Sequence, residues 1–435
     1  MNSEGQPRIF TFEEARHIVE THAAQLHPRG KELLALLEAR NRILAEPVTA
    51  DRDYPPFHRA TRDGYAVRST DVAKTPASLK VAGEIQAGAS PEKAAIPITS
   101  GQAVSIMTGA PVPNGADAVV MIENTSSGKA AREHAQEQEE HVIIQSSVAA
   151  GVNIVPAGSE AKQGARLLAP GMKLDYAALA VAASVGRVHL LVYSRPRVAI
   201  LATGNELVDI DVPPGPNQIR NSNTYSLAAQ ILQAGGEPIL LPIAPDDPTR
   251  IKELIREGLD ADLLLLSGGV SAGKYDFVEP ALAELGAEFL FTGVKIQPGR
   301  PLVFGRIPAA AHANTQDTSQ SPNYKYFFGI PGNPVSTMVT FKLFVRPILD
   351  ALSGAQPQKL VFLKAKLKSE IKTKTGLTRF LPATLSGEFQ NAEVELVRWQ
   401  GSGDIAATAL ANCYIIIPPD RELIASGEPV PIMMR

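Results

Sequence analysis

Cysteine is almost absent from this chain of 435 residues, because Cys413 is the only one. No disulfide can form within the chain, and zinc sites of the Cys₂His₂ or Cys₄ kind are excluded. A reducing, cytoplasmic location fits this count, and so does a secreted protein without disulfides. The first ten residues contain an acid and no apolar core, so we expect no signal peptide.

The sequence also lacks a long apolar run and an excess of charge of one sign. The apolar stretch 405–417 has 13 residues, too few for a helix that crosses a bilayer. The 42 Lys and Arg nearly balance the 45 Asp and Glu, whereas unspecific nucleic-acid binders are usually basic. We therefore expect a soluble protein with neither a membrane nor a nucleic acid as its partner.

Two phosphate-binding signatures are missing as well. No segment has the spacing of a Walker loop or of the GxGxxG dinucleotide fingerprint. The eight histidines show no metal-ligand spacing. Any ligand site must therefore be inferred from weaker signals.

Glycine and proline, 34 of each, exceed ordinary usage and divide the chain into segments of different texture. The length predicts about three domains. Apolar residues at helical spacing predict helices over 12–26 and 31–45, which Pro28 and Gly30 separate. A third helix is expected over 175–185, packed on the first two to form a discontinuous helical domain.

Short apolar runs alternate with Gly, Pro and Asp between these helical segments, which indicates a small β domain. The polar segment 126–140 is expected to be a solvated insertion in one of its hairpins. Strand texture returns after Lys359 and predicts a second, barrel-like β domain. Its predicted strands are 360–367, 380–385, 394–397 and 413–417.

Strands and helices alternate from Pro196 to Leu352, which predicts a doubly wound sheet with helices on both faces. The predicted strands are 198–202, 239–243, 263–266, 288–291, 302–304 and 326–330, and the predicted helices are 222–234, 249–259, 277–285 and 335–352. The segment 309–323 is expected to be a surface loop. The fold class is thus multidomain α/β, with a helical domain (1–50 and 156–192), a small β domain (51–155), an α/β domain (193–354) and a C-terminal β domain (355–435).

Three predicted strands of this sheet run into glycine-rich turns. Ligands of open α/β sheets bind beyond the carboxyl ends of the strands, and the N–H groups of such turns can approach an anion closely. Taken alone, the turn 267–269 is equally well explained as an ordinary connection, and the turn 331–334 is better explained as a turn with a helix cap. The candidate residues are Gly204, Ser267, Gly268, Gly269, Ser271, Pro331, Gly332, Asn333 and Ser336.

Acidic residues follow the same strands. Glu206 comes two residues after Gly204, Asp246 and Asp247 end another strand, and Asp276 lies near a helix start. Mg²⁺ prefers hard oxygen ligands and often bridges to a substrate phosphate. Each aspartate taken alone fits a helix cap better than a metal site, and only the clustering of the acids at strand ends favours a metal, so both interpretations stay open.

Three further loops are candidates. Lys295 and Arg300 could meet an anion in the segment 295–301, which also fits a solvated turn. Asp63 precedes a glycine, and Asp-Gly is by itself a hairpin-turn signal. Thr108 lies in a Gly- and Pro-rich tight turn.

Taken together and in their order, these segments resemble the MoeA family, the molybdenum insertases of molybdenum-cofactor synthesis, which are related to the C-terminal domain of gephyrin. The matching segments are 61–67 (TRDGYAV), 106–113 (IMTGAPVP), 203–207 (TGNEL), 267–271 (SGGVS) with Asp276, 297–301 (QPGRP) and 331–336 (PGNPVS). The resemblance implies a helical dimerisation domain, a small β domain, a molybdopterin-binding α/β domain and a C-terminal β-barrel. It also implies a homodimer.

The resemblance further implies that molybdate enters the dithiolene of adenylylated molybdopterin, with Mg²⁺-dependent release of AMP. The implied catalytic residues are Asp63, Thr108, Glu206, Asp246 and Asp276, and the implied metal ligands are Glu206, Asp246 and Asp276. Substrate binding falls to the glycine turns and to Pro298, Gly299, Arg300 and Arg379. The implied partners are a molybdopterin adenylyltransferase as substrate donor, and molybdoenzymes or their chaperones as acceptors.

Three positions depart from the family pattern. Some members carry lysine in place of Gln297 and of Arg300, and some carry aspartate in place of Asn205. Two other functions stay open, a molybdopterin adenylyltransferase and a non-enzymatic scaffold of the gephyrin type. The motifs around Asp63 and Thr108 argue against the first, and the lack of a long partner-binding linker argues against the second.

Overall fold

The structure is a computed structural model that describes residues 9–90, 92, 96–129, 140–269, 277–308 and 324–435. The chain divides into two compact units. The large unit consists of Met1–Ala45, Pro170–Tyr176 and His189–Arg435, and the small unit consists of Glu46–Ala169 and Ala177–Val188. The expected surface loop over 309–323 lies outside the described residues.

The small unit is built on a six-stranded sheet, as its short apolar runs predict. In sheet order the strands are Ala118–Met121, Gly64–Val67, Gln102–Ile106, Ala77–Ile85, Glu140–Ile144 and Thr125–Lys129. Val119 packs in one apolar cluster and its neighbour Val120 in another, because successive side chains of a strand point to opposite faces. Both faces of the sheet are therefore covered.

The last two of these strands form an antiparallel hairpin, so the polar segment 126–140 begins and ends in strand, while 130–139 lies outside the described residues. The predicted third helix is present as Tyr176–Ser184. Smaller elements of the unit are the paired strands Val48–Thr49 and Arg166–Leu168, the paired strands Arg59–Ala60 and Ile154–Val155, and the 3₁₀ turns Ser69–Val72 and Ile122–Asn124.

The large unit contains a second six-stranded sheet, with helices on both faces as predicted. Its strand order is Glu237–Leu240, Arg197–Ala202, Leu263–Ser267, Tyr324–Ile330, Val303–Pro308 and Glu288–Phe291. The first four strands are parallel, and the last two are antiparallel to their neighbours. Leu263 and Leu265 pack in one apolar cluster and Leu264 and Leu266 in another, which is the pattern of a central strand covered on both faces.

The helices that cover this sheet start close to the predicted positions. They are Ser222–Gln233, Pro248–Gly258, Val278–Glu284, Pro334–Thr340 and Arg346–Leu352. A π-helical turn, Phe341–Val345, separates the last two, where the sequence predicts one continuous helix. Pro347 has no N–H, so the Leu343 carbonyl loses its helical partner. The Arg16 guanidinium, from the helix Phe12–Ala23, donates a hydrogen bond to that carbonyl and docks this helix at the break.

The predicted helix over 31–45 is wrong. Lys31–Ala35 is a strand that pairs antiparallel with His189–Tyr193, and turns follow it. Leu33 and Leu37, which helical spacing places on a buried face, are 65% and 81% exposed. Leucine spacing fits a helix here, but the hydrogen-bond partner is a strand far along the chain. Of the two helices predicted before Ala45, the structure therefore contains the first, as Phe12–Ala23, and a strand in place of the second.

Five C-terminal strands close into a barrel, as predicted. The ring runs through Thr378–Ser386, Glu393–Leu396, Leu363–Leu367, Pro429–Met434 and Cys413–Ile417, which pairs again with the first. Its interior is an apolar cluster that includes the buried Cys413. The helix Ile405–Leu410 and the strand Pro429–Met434 are additions to the prediction. No helix of the described residues is long and apolar enough to cross a membrane.

Short paired strands complete the large unit. They are Ile9–Phe10 with Gly293–Val294, Leu207–Val208 with Ile219–Arg220, Ile371–Lys372 with Leu423–Ile424, and Ile296–Gln297 with the start of Thr378–Ser386.

Candidate functional site

Three glycine-rich turns meet at one edge of the large unit's sheet, as the sequence predicts. They follow the adjacent parallel strands Arg197–Ala202, Leu263–Ser267 and Tyr324–Ile330. Two backbone hydrogen bonds join the turns to neighbouring strands. Thr203 N–H donates to the Ser267 carbonyl at 3.1 Å, and Gly268 N–H donates to the Ile330 carbonyl at 3.2 Å.

Gly268 and Gly269 hold the middle turn in a conformation that other residues avoid. Their φ angles are +92° and +60°, in the region where a Cβ is strained. A Cβ on Gly268 would lie 2.7 Å from the Thr203 carbonyl oxygen, and one on Gly269 would lie 2.8 Å from Thr203 Oγ1. Glycine is therefore required both for the backbone angle and for the close approach.

An amide side chain that sequence reasoning missed cross-links two of these turns. Asn223, in the first turn of the helix Ser222–Gln233, donates through Nδ2 to Ser267 Oγ at 3.1 Å and to the Gly332 carbonyl at 2.7 Å. Asn223 Oδ1 and Thr203 Oγ1 are buried and lack a hydrogen-bond partner among the described residues. Such atoms are rare in native proteins. The available signal was an asparagine inside a helix, where this residue is a poor choice.

In the third turn, the Asn333 side chain does not cap the helix that follows it, although its position suggests that it should. Asn333 is the N-cap of the helix Pro334–Thr340, but its exposed side chain makes no capping hydrogen bond. The Thr337 hydroxyl instead donates to the carbonyls of Pro331, at 2.8 Å, and Asn333, at 3.1 Å. Ser336 lies in the first turn of this helix and is buried. The predicted helix cap therefore describes the backbone position of Asn333, but its side-chain amide does not act as a cap.

The structure separates Asp246 from Asp247. Asp247 caps the helix Pro248–Gly258 and accepts the Arg250 N–H at 2.7 Å. Asp246 faces the first glycine turn, where its Oδ2 accepts the Asn205 N–H at 3.3 Å and its own N–H donates to Asn205 Oδ1 at 3.1 Å. Asp246 is therefore the acid at the turn, and Asp247 is a cap.

Glu206 lies against the same turn, because a Cβ on Gly204 would collide with its carboxylate. Glu206 and Asp246 are both exposed. Ser271 and Asp276 lie outside the described residues. Within the described part of the chain, no group of three or more His, Cys, Asp or Glu side chains is placed to hold a metal ion. Of the three predicted metal ligands, the structure therefore describes two, the carboxylates of Glu206 and Asp246.

The turn that contains Arg300 is paired with the barrel strand Thr378–Ser386. Gln297 lies in parallel register with Arg379, which is 7% exposed and donates to the Leu377 carbonyl at 3.1 Å. Burial lowers the pKa of the Arg379 guanidinium. The exposed residues of the turn are Lys295, Gln297 and Arg300, and the buried ones are Pro298 and Gly299.

Two loops of the small unit bring Asp63 and Thr108 together. Thr108 N–H donates to Asp63 Oδ1 at 2.6 Å. This bond and one from the Thr108 hydroxyl hold the pKa of the Asp63 carboxyl below its usual value. The Asp63 carbonyl accepts the Ile122 N–H at 3.0 Å, and both the Asp63 and the Thr108 side chain are exposed. Asp63 is therefore a fixed, ionised and accessible carboxylate as well as a turn residue.

Fold and site together define a class of protein, namely multidomain α/β proteins with a polar, glycine-lined site at the carboxyl edge of a doubly wound sheet. Three family profiles match the chain. The MoeA N-terminal region (domain I and II) covers residues 10–186, the probable molybdopterin binding domain covers 199–351, and the MoeA C-terminal region (domain IV) covers 364–434.

Curated relatives agree with these profiles. A protein of Nostoc sp. named molybdopterin molybdenumtransferase is 35% identical over 92% of this chain and 88% of its own length. The protein of that name from Bacillus subtilis is 33% identical over 93% and 89%. A crystal structure of the molybdopterin biosynthesis moeA protein from Pyrococcus horikoshii has a TM-score of 0.74 and 28% identity, and covers 98% of this chain and 100% of that one. The chain belongs to the MoeA family, and the predictions of fold class and of a transferase are confirmed.

Proposed function

We propose that this chain is a molybdenum insertase that converts adenylylated molybdopterin and molybdate into molybdenum cofactor and AMP. Its curated relatives are named molybdopterin molybdenumtransferase, and residues 199–351 match a probable molybdopterin binding domain. The observation that carries the proposal is the meeting of three glycine turns and two carboxylates at one sheet edge. Such an edge suits a ligand that is both phosphorylated and metal-bound.

The phosphates of the substrate are assigned to the middle turn. Gly268 and Gly269 present backbone there without side chains, and backbone N–H groups are good partners for phosphate oxygens. The exposed Asn333 amide, free of capping, supplies a polar group from the third turn. These groups bind and orient the substrate.

Mg²⁺ is assigned to Glu206 and Asp246, with Asp276 as a third ligand expected from sequence alone. The two carboxylates fit the ion because they are exposed oxygen donors at one turn. Mg²⁺ commonly takes one or two carboxylates and fills its other positions with water and phosphate oxygens. When bound, the ion would offset the charge on the phosphoanhydride. Asn205 orients the Asp246 carboxylate through the reciprocal hydrogen bonds.

Molybdate and the developing oxyanion are assigned to cationic side chains. Arg300 and Lys295 are exposed on one turn, and Arg379 lies in register with Gln297. Gln297 is neutral where some family members carry lysine. We therefore assign the main positive charge at this position to Arg379, since a guanidinium keeps its charge when buried and holds oxyanions in a fork of N–H groups.

Asp63 is assigned the role of a fixed charge that positions water or the metal-bound substrate. The hydrogen bonds that lower the pKa of the Asp63 carboxyl stabilise its ionised form. Thr108 holds it in place through the backbone N–H and the hydroxyl.

The proposed assembly is a cytoplasmic homodimer that receives substrate from a molybdopterin adenylyltransferase and delivers cofactor to molybdoenzymes or their chaperones. Support for self-association comes from apolar side chains of the large unit that are open to solvent: Leu33 is 65% exposed, Leu37 81% and Tyr176 87%. Light scattering of the wild type and of Leu37→Ser tests the dimer. A monomeric wild type would contradict it.

The function is tested by mixing the purified protein with adenylylated molybdopterin, Mg²⁺ and molybdate, and following AMP release together with reconstitution of an apo-molybdoenzyme. Both signals are expected, and both should require molybdate. Binding of the pterin without AMP or cofactor would indicate a carrier or scaffold. Formation of adenylylated pterin from ATP and molybdopterin would indicate an adenylyltransferase.

A further inference from the structure

We propose that Asn223 is a positioning residue that fixes the spacing between the middle and the third glycine turn. Both N–H groups of its amide are used, one toward Ser267 Oγ at 3.1 Å and one toward the Gly332 carbonyl at 2.7 Å. The two acceptors lie on different turns, 44 and 109 residues away in sequence. The consequence for substrate, though not the contact itself, rests on the proposed function.

The two turns that Asn223 joins approach each other closely. A Cβ on Gly332 would lie 3.6 Å from the Gly268 Cα, and Gly268 N–H donates to the Ile330 carbonyl at 3.2 Å. Backbone hydrogen bonds fix the strand ends, but Gly332 lies beyond the last residue of its strand. The Asn223 amide therefore determines where the Gly332 carbonyl stands relative to Ser267.

Asparagine at this position lowers the stability of the fold, so ordinary packing does not explain why it is there. Asn223 Oδ1 is buried without a partner among the described residues, and a buried unpartnered acceptor destabilises a protein. No other side chain of similar size supplies two N–H donors from one atom. Aspartate has the same shape but no donor, and it would place a negative charge against the Gly332 carbonyl.

Asn223 also stands on a rigid support. Its helix, Ser222–Gln233, is capped by Asn221, whose side chain accepts the Thr224 N–H at 3.3 Å. Thr224, Leu227 and Ile231 of this helix are buried. A donor held by a capped, buried helix can set the geometry of two glycine turns, since rigid elements position sites more accurately than loops do.

The chain offers a matched control in the same helix. Gln230→Ala truncates an amide two turns further along, whose Nε2 has no hydrogen-bond partner among the described residues, whereas Asn223→Ala removes the cross-link and keeps the Asn221 cap. Asn223→Asp keeps the side-chain shape and removes the donors. All three variants are compared with the wild type without ligand by hydrogen–deuterium exchange, with peptides that cover 264–269 and 327–334.

We expect Asn223→Ala and Asn223→Asp to speed exchange at the Gly268 amide and in the third turn, while Gln230→Ala leaves exchange at both turns unchanged. Unchanged exchange at both turns in Asn223→Ala, or equal loosening in Gln230→Ala, would overturn the inference whatever the protein's activity. Because no substrate is used, this result is independent of the proposed function.

A second arm measures the consequence for substrate. The Kd for adenylylated molybdopterin is expected to rise about tenfold in Asn223→Ala, with a larger rise in Asn223→Asp and no change in Gln230→Ala. Equal affinities in the wild type and Asn223→Ala would refute the role in substrate binding. A wild type that binds no adenylylated pterin would contradict the proposed function, while faster exchange at the two turns would still establish the cross-link.

Discussion

Asp63 in the small unit and Asp246 in the large unit are both exposed carboxylates that accept a backbone N–H from another loop, yet they are held differently. Asp63 accepts the Thr108 N–H at 2.6 Å and the Thr108 hydroxyl as well, and these bonds lower its pKa. Asp246 shares a longer, reciprocal pair with Asn205, at 3.3 and 3.1 Å. In the proposed function, Asp63 serves as a fixed charge, and Asp246 keeps oxygen lone pairs for Mg²⁺.

This difference assigns separate tasks to acids that look alike in sequence. Donors that converge on a carboxylate stabilise its charged form and fix its orientation, which suits a group that positions a reactant. A carboxylate with one weak backbone contact can rotate to coordinate a metal. The predictions below test this division of roles.

The largest effect is expected for Asp63→Asn. The amide keeps the size and can still accept the Thr108 N–H, but it removes the charge, so AMP release should fall at least about 100-fold with little change in melting temperature. The control is Asp71→Asn. Asp71 is another small-unit carboxylate that accepts a backbone N–H, from Gly101 at 2.9 Å. An active Asp63→Asn would contradict the assignment, and so would an inactive Asp71→Asn.

Gly268→Ala should destabilise the protein by about 1–3 kcal/mol and abolish pterin binding. Alanine is strained at a φ of +92°, and its Cβ would lie 2.7 Å from the Thr203 carbonyl oxygen. Gly286→Ala is the matched control, because Gly286 has a φ of +78° but no atom within 4 Å of the added Cβ. Urea unfolding should show a smaller loss for the control and calorimetry no loss of binding. Equal losses of stability and binding in the two variants would show that the close approach to Thr203 is not the cause.

Arg379→Lys should raise the KM for molybdate about tenfold with a smaller change in kcat. Lysine keeps the charge but not the fork of N–H groups that matches an oxyanion. Arg421→Lys, in the same C-terminal region, alters an ion pair with Glu428 and a hydrogen bond to the Leu423 carbonyl, and it should leave the KM unchanged. If Arg379→Lys leaves the KM for molybdate unchanged, the assignment to Arg379 is wrong and the oxyanion site is assigned to Arg300 and Lys295 instead.

The smallest effect is expected for Thr108→Val, which removes the hydroxyl but keeps the backbone N–H. The pKa of Asp63 should rise toward its usual value while staying acidic, as read from a carbon NMR titration of this carboxyl. Since the pKa in the folded state lies below the unfolded value of about 3.9, the stability that Asp63 contributes is complete above that pH. It is lost as the pH falls through the folded value. An unchanged pKa would show that the backbone N–H alone holds the charge.

The sheet of the large unit and the barrel can be predicted from the sequence, because the residue patterns that define their strands and helices lie within each element. Buried runs such as Leu263–Ser267 and the helix Ser222–Gln233 carry their own periodicity and end in turn residues. The glycine turns were predicted to meet because the carboxyl ends of parallel strands share one edge. The helix predicted over 31–45 failed for the opposite reason, since the strand Lys31–Ala35 depends on a partner, His189–Tyr193, far along the chain.

The same distinction divides the candidate site. Gly268 and Gly269 could be named from sequence because each needs a backbone angle that glycine adopts. The role of Asn223 could not, because its acceptors lie 44 and 109 residues away. The choice between Asp246 and Asp247 needed coordinates as well, because only the hydrogen bonds distinguish a cap from a turn-facing acid.

The most direct test of the different roles of the two acids is a Mg²⁺ titration of AMP release. It compares the wild type, Asp246→Asn and Asp63→Asn, with an assay sensitive enough to follow the low activity expected of Asp63→Asn. We predict that Asp246→Asn raises the half-saturating Mg²⁺ concentration and regains rate at high Mg²⁺. Asp63→Asn should lower the maximal rate at an unchanged half-saturation. A shifted Mg²⁺ requirement in Asp63→Asn, together with an unshifted one in Asp246→Asn, would contradict the account.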